Sequence, residues 1–305
     1  MFLVFATNML KRIIILQVCI ILLITGTSQA QSKRKNLYDS LLIGDRITPA
    51  VSSVMMPKSY TEIILSNSLL TTNAIYNTNR ETINLNSRYT YLINTLQVTH
   101  GLTSSGRLNV GLDLSYRTGR SDADPESSPI KIFGNSSEGL IEYGRSLTSI
   151  GFRARYVPTR NRNFVIQNTF FVPLGSSGTE SEFLGDSRYA FNTQFLYTQL
   201  VGRKFFLFGQ TDVLIRFKDD KNDADLTMPV NVYGTYLINR HVFPFIQLGM
   251  LNSWGDVTRQ SFSYGIGLQY QFSTMFNINA FYSDVFAGKN SNVWNVYNLG
   301  IRVVL

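Results

Sequence analysis

The stretch Arg107-Leu-Asn-Val-Gly-Leu-Asp-Leu-Ser-Tyr-Arg117 alternates polar and apolar residues without a break. Successive side chains of a β-strand point to opposite faces, so this spacing predicts a strand with one apolar face and one wet face. Ser261–Phe272 repeats the pattern, with Phe, Tyr, Ile or Leu at every second position. The strands of a soluble β-sandwich would alternate in the same way. Other features must therefore decide between a sandwich and a membrane barrel.

The first thirty residues have the features of an export signal. Lys11 and Arg12 precede the apolar run Ile13–Ile24, and Ser28-Gln29-Ala30 supplies small residues for cleavage. The run of about twelve residues is shorter than the roughly 20 that a membrane-spanning helix needs. We therefore predict a signal peptide over residues 1–30 that is removed after Ala30.

Composition narrows the chemistry of the mature chain. The only cysteine, Cys19, lies inside the signal, which excludes a disulfide framework and a cysteine nucleophile. Losing Lys11 and Arg12 lowers the formal net charge from +8 to +6. A basic chain can bind nucleic acid, but the one cationic cluster is Lys33-Arg34-Lys35 and the chain is exported, so we predict no nucleic-acid partner. No later apolar run is long enough for a spanning helix, and a membrane location would therefore require a barrel.

The mature chain divides into a short leader and a long alternating region. Residues 31–58 alternate poorly and contain Pro49 and Pro57, which predicts an irregular leader in the periplasm or in a lumen. Residues 59–305 predict an all-β fold, an antiparallel transmembrane β-barrel of about 12 strands, with 10 to 14 left open. The strand candidates are 60–71, 83–101, 107–118, 147–157, 163–173, 188–200, 204–217, 227–238, 242–252, 261–272, 275–284 and 294–305.

The predicted connections alternate between long loops and tight turns, as in transmembrane barrels. An even strand count places both ends of the barrel chain on the side of the short turns. Two places depart from the scheme. The side-chain alternation changes parity near Leu92–Asn94, which predicts either a β-bulge there or two shorter strands. Gly139–Arg145 either extends the fourth strand or forms a small extracellular hairpin.

The C-terminal strand resembles that of bacterial outer-membrane β-barrel proteins, because Tyr297, Leu299, Ile301, Val303 and Leu305 are apolar at every second position up to the last residue. A narrower resemblance, to transporter barrels of the Bacteroidetes type with no assigned function, rests on Leu96–Leu102 and Ile150–Pro158. The resemblance implies the outer membrane of a Gram-negative bacterium, outer-membrane lipid around the barrel, and recognition of the last strand by the barrel-assembly machinery. It implies no catalytic residues.

The polar face of the strands predicts a set of lumen-lining side chains. In this set arginines outnumber acids by six to two, which would favour anionic or polar solutes if water fills the lumen. The alternative is that these groups pair with one another and plug the barrel, since twelve strands lie between filled small barrels and open porins. The predicted lumen-lining residues are Asn109, Asp113, Arg117, Arg153, Arg155, Arg188, Asn192, Gln194, Gln210, Asp212, Arg216, Asn298 and Arg302.

Acidic residues also cluster in the predicted loops, as Asp122, Asp124 and Glu126, as Glu180, Glu182 and Asp186, and as Asp219, Asp220, Asp223 and Asp225. The last group has enough oxygens for calcium. Lys221 interrupts it, however, and the EF-hand spacing is missing, so we predict a solvated loop and no metal site.

A lipid-modifying enzyme would need a histidine base beside a nucleophile, and His100 and His241 are the only candidates. Both fall near predicted short turns without a suitably placed serine, so we predict no enzymatic activity and no cofactor. The leading hypothesis is an outer-membrane channel or transporter for small polar or anionic solutes. The alternative is a plugged structural or interaction barrel with binding loops.

Overall fold

The computed structural model describes residues 54–134, 137–159, 162–174, 183–184, 188–219 and 222–305. The predicted signal peptide and most of the predicted leader lie outside these residues. Within the described ranges, no helix is long and apolar enough to cross a bilayer.

One closed antiparallel sheet of twelve long strands makes up the fold. The strands are β1 (Thr61–Tyr76), β2 (Thr82–Gly101), β3 (Leu108–Asp122), β4 (Leu140–Tyr156), β5 (Phe164–Pro173), β6 (Ala190–Val201), β7 (Phe205–Arg216), β8 (Asp225–Tyr236), β9 (Val242–Trp254), β10 (Arg259–Gln271), β11 (Phe276–Lys289) and β13 (Asn295–Val304). A two-residue strand, β12 (Ser291–Asn292), pairs with the end of β1, and a 3-10 helix spans Pro129–Phe133.

The barrel closes where its first and last strands meet. β1 pairs with β13 from Glu62 opposite Val304 to Thr71 opposite Asn295. The backbone N–H groups of Thr61 and Leu305 each donate to the other residue's carbonyl oxygen, at 3.0 and 2.8 Å. Both chain ends of the barrel thus lie at one end, which we call the turn end because the connections there are short; the other is the loop end. The predicted all-β barrel is confirmed.

The outer surface is apolar and the inner surface is polar, the reverse of a soluble β-sandwich. On β3, Leu108, Val110, Leu112 and Tyr116 are exposed on the outside. Between them, Asn109 and Asp113 are buried on the inside. An apolar belt around a polar interior is typical of transmembrane barrels, so it is the arrangement of the two faces, not the alternation alone, that distinguishes the architectures.

Both alternatives predicted near Leu92–Asn94, a β-bulge and two shorter strands, are wrong. β2 keeps a continuous register with β3 from Arg88 to Gly101, and the only shift in its pairing with β1 lies at Thr72 and Ala74. The physical reason is that Tyr91 faces inward, where its ring centroid lies 5.5 Å from that of Phe183 and 5.9 Å from that of Trp294. An apolar residue early in β2 was therefore assigned to the wrong face.

At the loop end, β3 and β4 run beyond their predicted limits. β4 begins at Leu140, so most of Gly139–Arg145 extends this strand. The connection from β3 folds back over the outside of β1 and β2, where its Pro125 carbonyl accepts hydrogen bonds from Asn73 Nδ2 at 3.2 Å and Arg88 Nε at 2.9 Å. This cover buries polar residues that would otherwise face outward.

Candidate functional site

The inside of the barrel is the candidate site, because the structure places all thirteen predicted lumen-lining residues on its inner face or at its loop-end rim. These residues form groups that differ in their distance from the turn end and in their hydrogen-bond or ion-pair partners. Their role in lining a solute path stays a prediction.

An ion-pair network lies in the half of the lumen nearer the turn end. Arg153 Nη2 lies 2.5 Å from Asp113 Oδ2, and Arg153 Nη1 donates to Gln97 Oε1 at 3.4 Å. Arg302 Nε lies 2.6 Å from Glu62 Oε1, and Arg155 Nη1 lies 3.7 Å from Glu62 Oε2. The network therefore connects β1, β3, β4 and β13. Glu62, the acid that pairs with both Arg155 and Arg302, is absent from the predicted lumen-lining residues.

A ladder of side-chain amides continues from this network around the wall. Arg155 Nε donates to Gln167 Oε1 at 2.9 Å, and Gln167 donates to Gln194. Gln194 Nε2 and Gln210 Nε2 both donate to Asp212, at 2.7 and 2.9 Å. Asn192 also hydrogen-bonds Asp212. Asp212, the second predicted lumen acid, thus accepts hydrogen bonds from three neutral amide side chains.

At the loop end the arginines again have partners. Asp225 forms ion pairs with Arg188 and with Arg216, the latter at 2.9 Å. Arg117 Nη1 donates to the Leu184 carbonyl at 2.8 Å. On β13, the predicted lumen residue Asn298 donates from Nδ2 to the hydroxyls of Ser66 and Ser68 at 2.9 and 2.7 Å.

Two of the predicted loop acids, Asp122 and Asp225, lie in strands instead. Asp225 was grouped with a solvated acidic loop, but it is the first residue of β8 and faces the lumen arginines. In the exposed loop before it, Lys218 Nζ donates a hydrogen bond to the Asp223 carboxylate at 2.7 Å, and this bond and the carboxylate charge raise the pKa of Lys218. Four of the predicted loop acids lie outside the described residues: Glu180, Glu182, Asp186 and Asp220. Within the described residues, no group of three His, Cys, Asp or Glu is placed to hold a metal.

The chain's own segment Val54–Pro57, which we call the floor segment, lies inside the lumen at the turn end. Asn109 Oδ1 accepts from the Met56 backbone N–H at 3.0 Å, and Asn109 Nδ2 donates to the Met56 carbonyl at 2.7 Å. Asn109 is fully buried and Met56 is 4% exposed. This part of the leader therefore lies inside the lumen, one of its two predicted locations.

Apolar side chains surround the floor segment. Val157, Val165, Leu196 and Phe208 form a buried cluster against which Met55 and Tyr233 pack. The rings of Phe208, Tyr233, Phe245 and Phe281 follow one another at centroid distances of 5.7, 6.4 and 5.6 Å. The turn end of the lumen is thus partly apolar, beside the ion-pair network of Glu62, Arg155 and Arg302, and the alternating pattern does not indicate this.

The two histidines occupy structural positions at the turn end. His100 Nδ1 lies 2.9 Å from Thr61 Oγ1, an exposed contact that ties β2 to β1. His241 Nδ1 lies 2.7 Å from the Gln271 carbonyl oxygen, and its ring stacks on Tyr270. Neither arrangement resembles a base oriented by a third group beside a nucleophile.

Comparison with solved structures identifies the fold. An outer-membrane channel from Pseudomonas putida F1 is 14% identical, with a TM-score of 0.64, and the match covers 85% of this chain and all of that one. The β-domain of the Bordetella autotransporter BrkA is 16% identical, with a TM-score of 0.55, over 81% of this chain and 99% of that one. The fold is that of outer-membrane β-barrels. The predicted resemblance to outer-membrane β-barrel proteins is confirmed at the level of the fold, and the narrower resemblance to barrels of the Bacteroidetes type stays a prediction. Comparisons with protein-family models and with curated proteins found no match.

Proposed function

We propose that this outer-membrane barrel is a channel for small polar or anionic solutes, embedded in the outer membrane of a Gram-negative bacterium with its turn end in the periplasm. The observation that carries the proposal is the set of buried charged and amide side chains on the inner face of the barrel, inside an apolar outer belt. The channel from Pseudomonas putida supports it only through the shared fold.

The lumen chemistry favours polar solutes over strongly anionic ones. Adding Glu62 and Asp225 to the two predicted lumen acids gives four acids against six arginines, which lowers the cationic excess of this set from four to two. Amides such as Gln194 and Gln210 offer both hydrogen-bond donors and acceptors to a solute. A lumen of this kind binds hydroxyl, amide and carboxylate groups without a strong preference for charge.

Recognition of the last strand by the assembly machinery is part of the proposal. Tyr297 and Leu299 of β13 are exposed on the outer face, and the strand ends against the start of β1. An unpaired β13 would present this apolar row before closure, and lipid would cover it afterwards.

The test is the ion conductance of purified protein in planar lipid bilayers. Heat-modifiable gel migration first verifies that the barrel is folded, because closed barrels migrate differently before and after boiling. Since the floor segment lies in the lumen at the turn end, wild-type protein is compared with the Met55→Glu variant, in which a carboxylate replaces an apolar side chain that packs against the apolar cluster. We expect discrete current steps with weak anion preference, larger in the variant. Absence of current from both folded proteins would contradict a channel.

A further inference from the structure

The floor segment is held as a receptor holds an extended peptide. Both backbone hydrogen-bonding groups of Met56 are paired with the two ends of the Asn109 carboxamide, at 3.0 and 2.7 Å. A side-chain amide here takes the place of a neighbouring strand. Main-chain bonds of this kind bind extended peptides largely irrespective of their sequence.

The barrel wall has a glycine, Gly101, where the backbone of the floor segment passes. Gly101 lies directly opposite Asn109 in the β2–β3 register. A Cβ atom on Gly101 would lie 2.0 Å from the Pro57 carbonyl oxygen and 2.5 Å from that of Met56, so the segment approaches this closely only because no side chain is present.

A cation faces the other end of the segment. Arg155 Nη1 donates to the Val54 carbonyl at 3.4 Å, while its Nε donates to Gln167 at 2.9 Å. Glu62 and Gln167 hold the guanidinium in place from either side. Arg155 therefore gives the site a fixed donor for a carbonyl or carboxylate oxygen. This oxygen lies two residues along the peptide from the carbonyl oxygen that Asn109 binds.

An apolar pocket completes the site. Met55, between the two anchored residues, packs against the cluster formed by Val157, Val165, Leu196 and Phe208. Its unbranched, flexible thioether side chain fills irregular apolar gaps well. In peptide recognition, backbone hydrogen bonds usually provide affinity and side-chain pockets provide specificity. This site has both, with backbone contacts on each side of the pocket.

We propose that this is a solute-binding site in the channel, that it takes a short extended peptide carrying an apolar side chain, and that the floor segment occupies it as a built-in competitor. The inference rests on the proposed function, whose substrate class it names. The tether gives the segment a high effective concentration at the site. A free peptide competes poorly with it unless the segment is weakened from its own side.

The first step of the test weakens the segment and leaves the site intact. Met55→Glu should raise the single-channel conductance several-fold over wild type, because an ionised carboxylate is costly in an apolar pocket. Lys58→Gln alters an exposed residue just beyond the segment and should leave the conductance at the wild-type level. If Met55→Glu fails to assemble, Met55→Gly removes the apolar anchor without adding a charge.

The second step restores the block with free peptide. Acetyl-Val-Met-Met-Pro-amide, added to both chambers, should close the Met55→Glu channel reversibly, and acetyl-Val-Glu-Glu-Pro-amide should not. Adding Asn109→Leu to the same background removes two hydrogen bonds and should raise the half-blocking concentration about tenfold or more. Asn79→Leu changes an exposed asparagine in the loop between β1 and β2, at the other end of the barrel, and should leave the half-blocking concentration unchanged.

The outcomes separate this inference from the proposed function. Current through the Met55 variant without any peptide block, or a block that Asn109→Leu does not weaken, would overturn the peptide site and leave the channel standing. No current from any folded variant would overturn the channel itself and the site with it.

Discussion

Replacing Asp113 by asparagine should lower the free energy of unfolding by about 3 kcal/mol, because breaking a buried ion pair leaves an uncompensated charge. The side chains of Arg153 and Asp113 are 3% and 5% exposed, and Nη2 lies 2.5 Å from Oδ2. After the substitution, Arg153 keeps a neutral acceptor on Gln97 at 3.4 Å. That remaining partner places the expected cost near the lower end of the range of about 3–5 kcal/mol for broken buried pairs.

The assay is urea unfolding of the barrel in lipid vesicles, followed by tryptophan fluorescence and by gel migration. A loss of about 3 kcal/mol is a change of roughly 100-fold in the unfolding equilibrium constant. Asp256→Asn, at an exposed loop acid, is the matched control. The double variant with Asp113→Leu and Arg153→Met should return to within about 1 kcal/mol of wild type, since apolar replacements of buried pairs are often neutral. If Asp113→Asn is as stable as the control, water screens the pair and the lumen is open at this height.

Two further substitutions test the assignment of faces and the packing of the lumen. Leu112→Arg, at the middle of the outer face of β3, should lose about 2–4 kcal/mol in the same unfolding assay, whereas Ser115→Arg on the inner face should stay near wild type; equal tolerance would refute the assignment. Gly267→Ala should cost about 1–3 kcal/mol, because its Cβ would lie 2.3 Å from Phe245 Cζ. Gly209→Ala, where a Cβ would meet nothing within 4 Å, should be neutral, and a similar loss at both glycines would count against a tightly packed lumen.

The sequence predicts the strands well where one face meets lipid and the other meets the lumen. It predicts them poorly at the loop end, where that contrast disappears. β3 continues through Gly119–Asp122, although its outward Arg120 and Asp122 are polar, because the folded-back connection buries them and their carboxylate–guanidinium bond of 2.7 Å. The alternation of residues within a strand cannot show that another segment of the chain packs over its outer face.

The faces of the lumen residues follow from alternation, but their partners do not. Glu62 is an isolated acid at the beginning of β1, and its closest cation, Arg302, is contributed by β13 at the other end of the chain. Only barrel closure brings them together. Asp225 was misplaced for a related reason: it follows a run of loop acids, and its position as the first residue of β8 depends on pairing with Arg216 of β7.

The floor segment was the least predictable part of the site. Met55 and Met56 are apolar neighbours without alternation, and Pro57 interrupts any strand. What fixes the segment is backbone recognition by Asn109 and clearance at Gly101, which follow from the β2–β3 register rather than from the residues of the segment itself.

Pairing of the lumen charges limits how far their field can act on a solute. Each close pair, such as Arg153 with Asp113 at 2.5 Å or Arg216 with Asp225 at 2.9 Å, acts at a distance as a dipole rather than as a fixed charge. In water-filled parts of the lumen, salt screens what remains over about 8 Å. Amides lose nothing to this screening because they act by contact. Recognition in this barrel therefore depends more on hydrogen bonds than on net charge, and the ligand-like group that the structure holds in the lumen, the Met56 peptide on Asn109, is bound in that way.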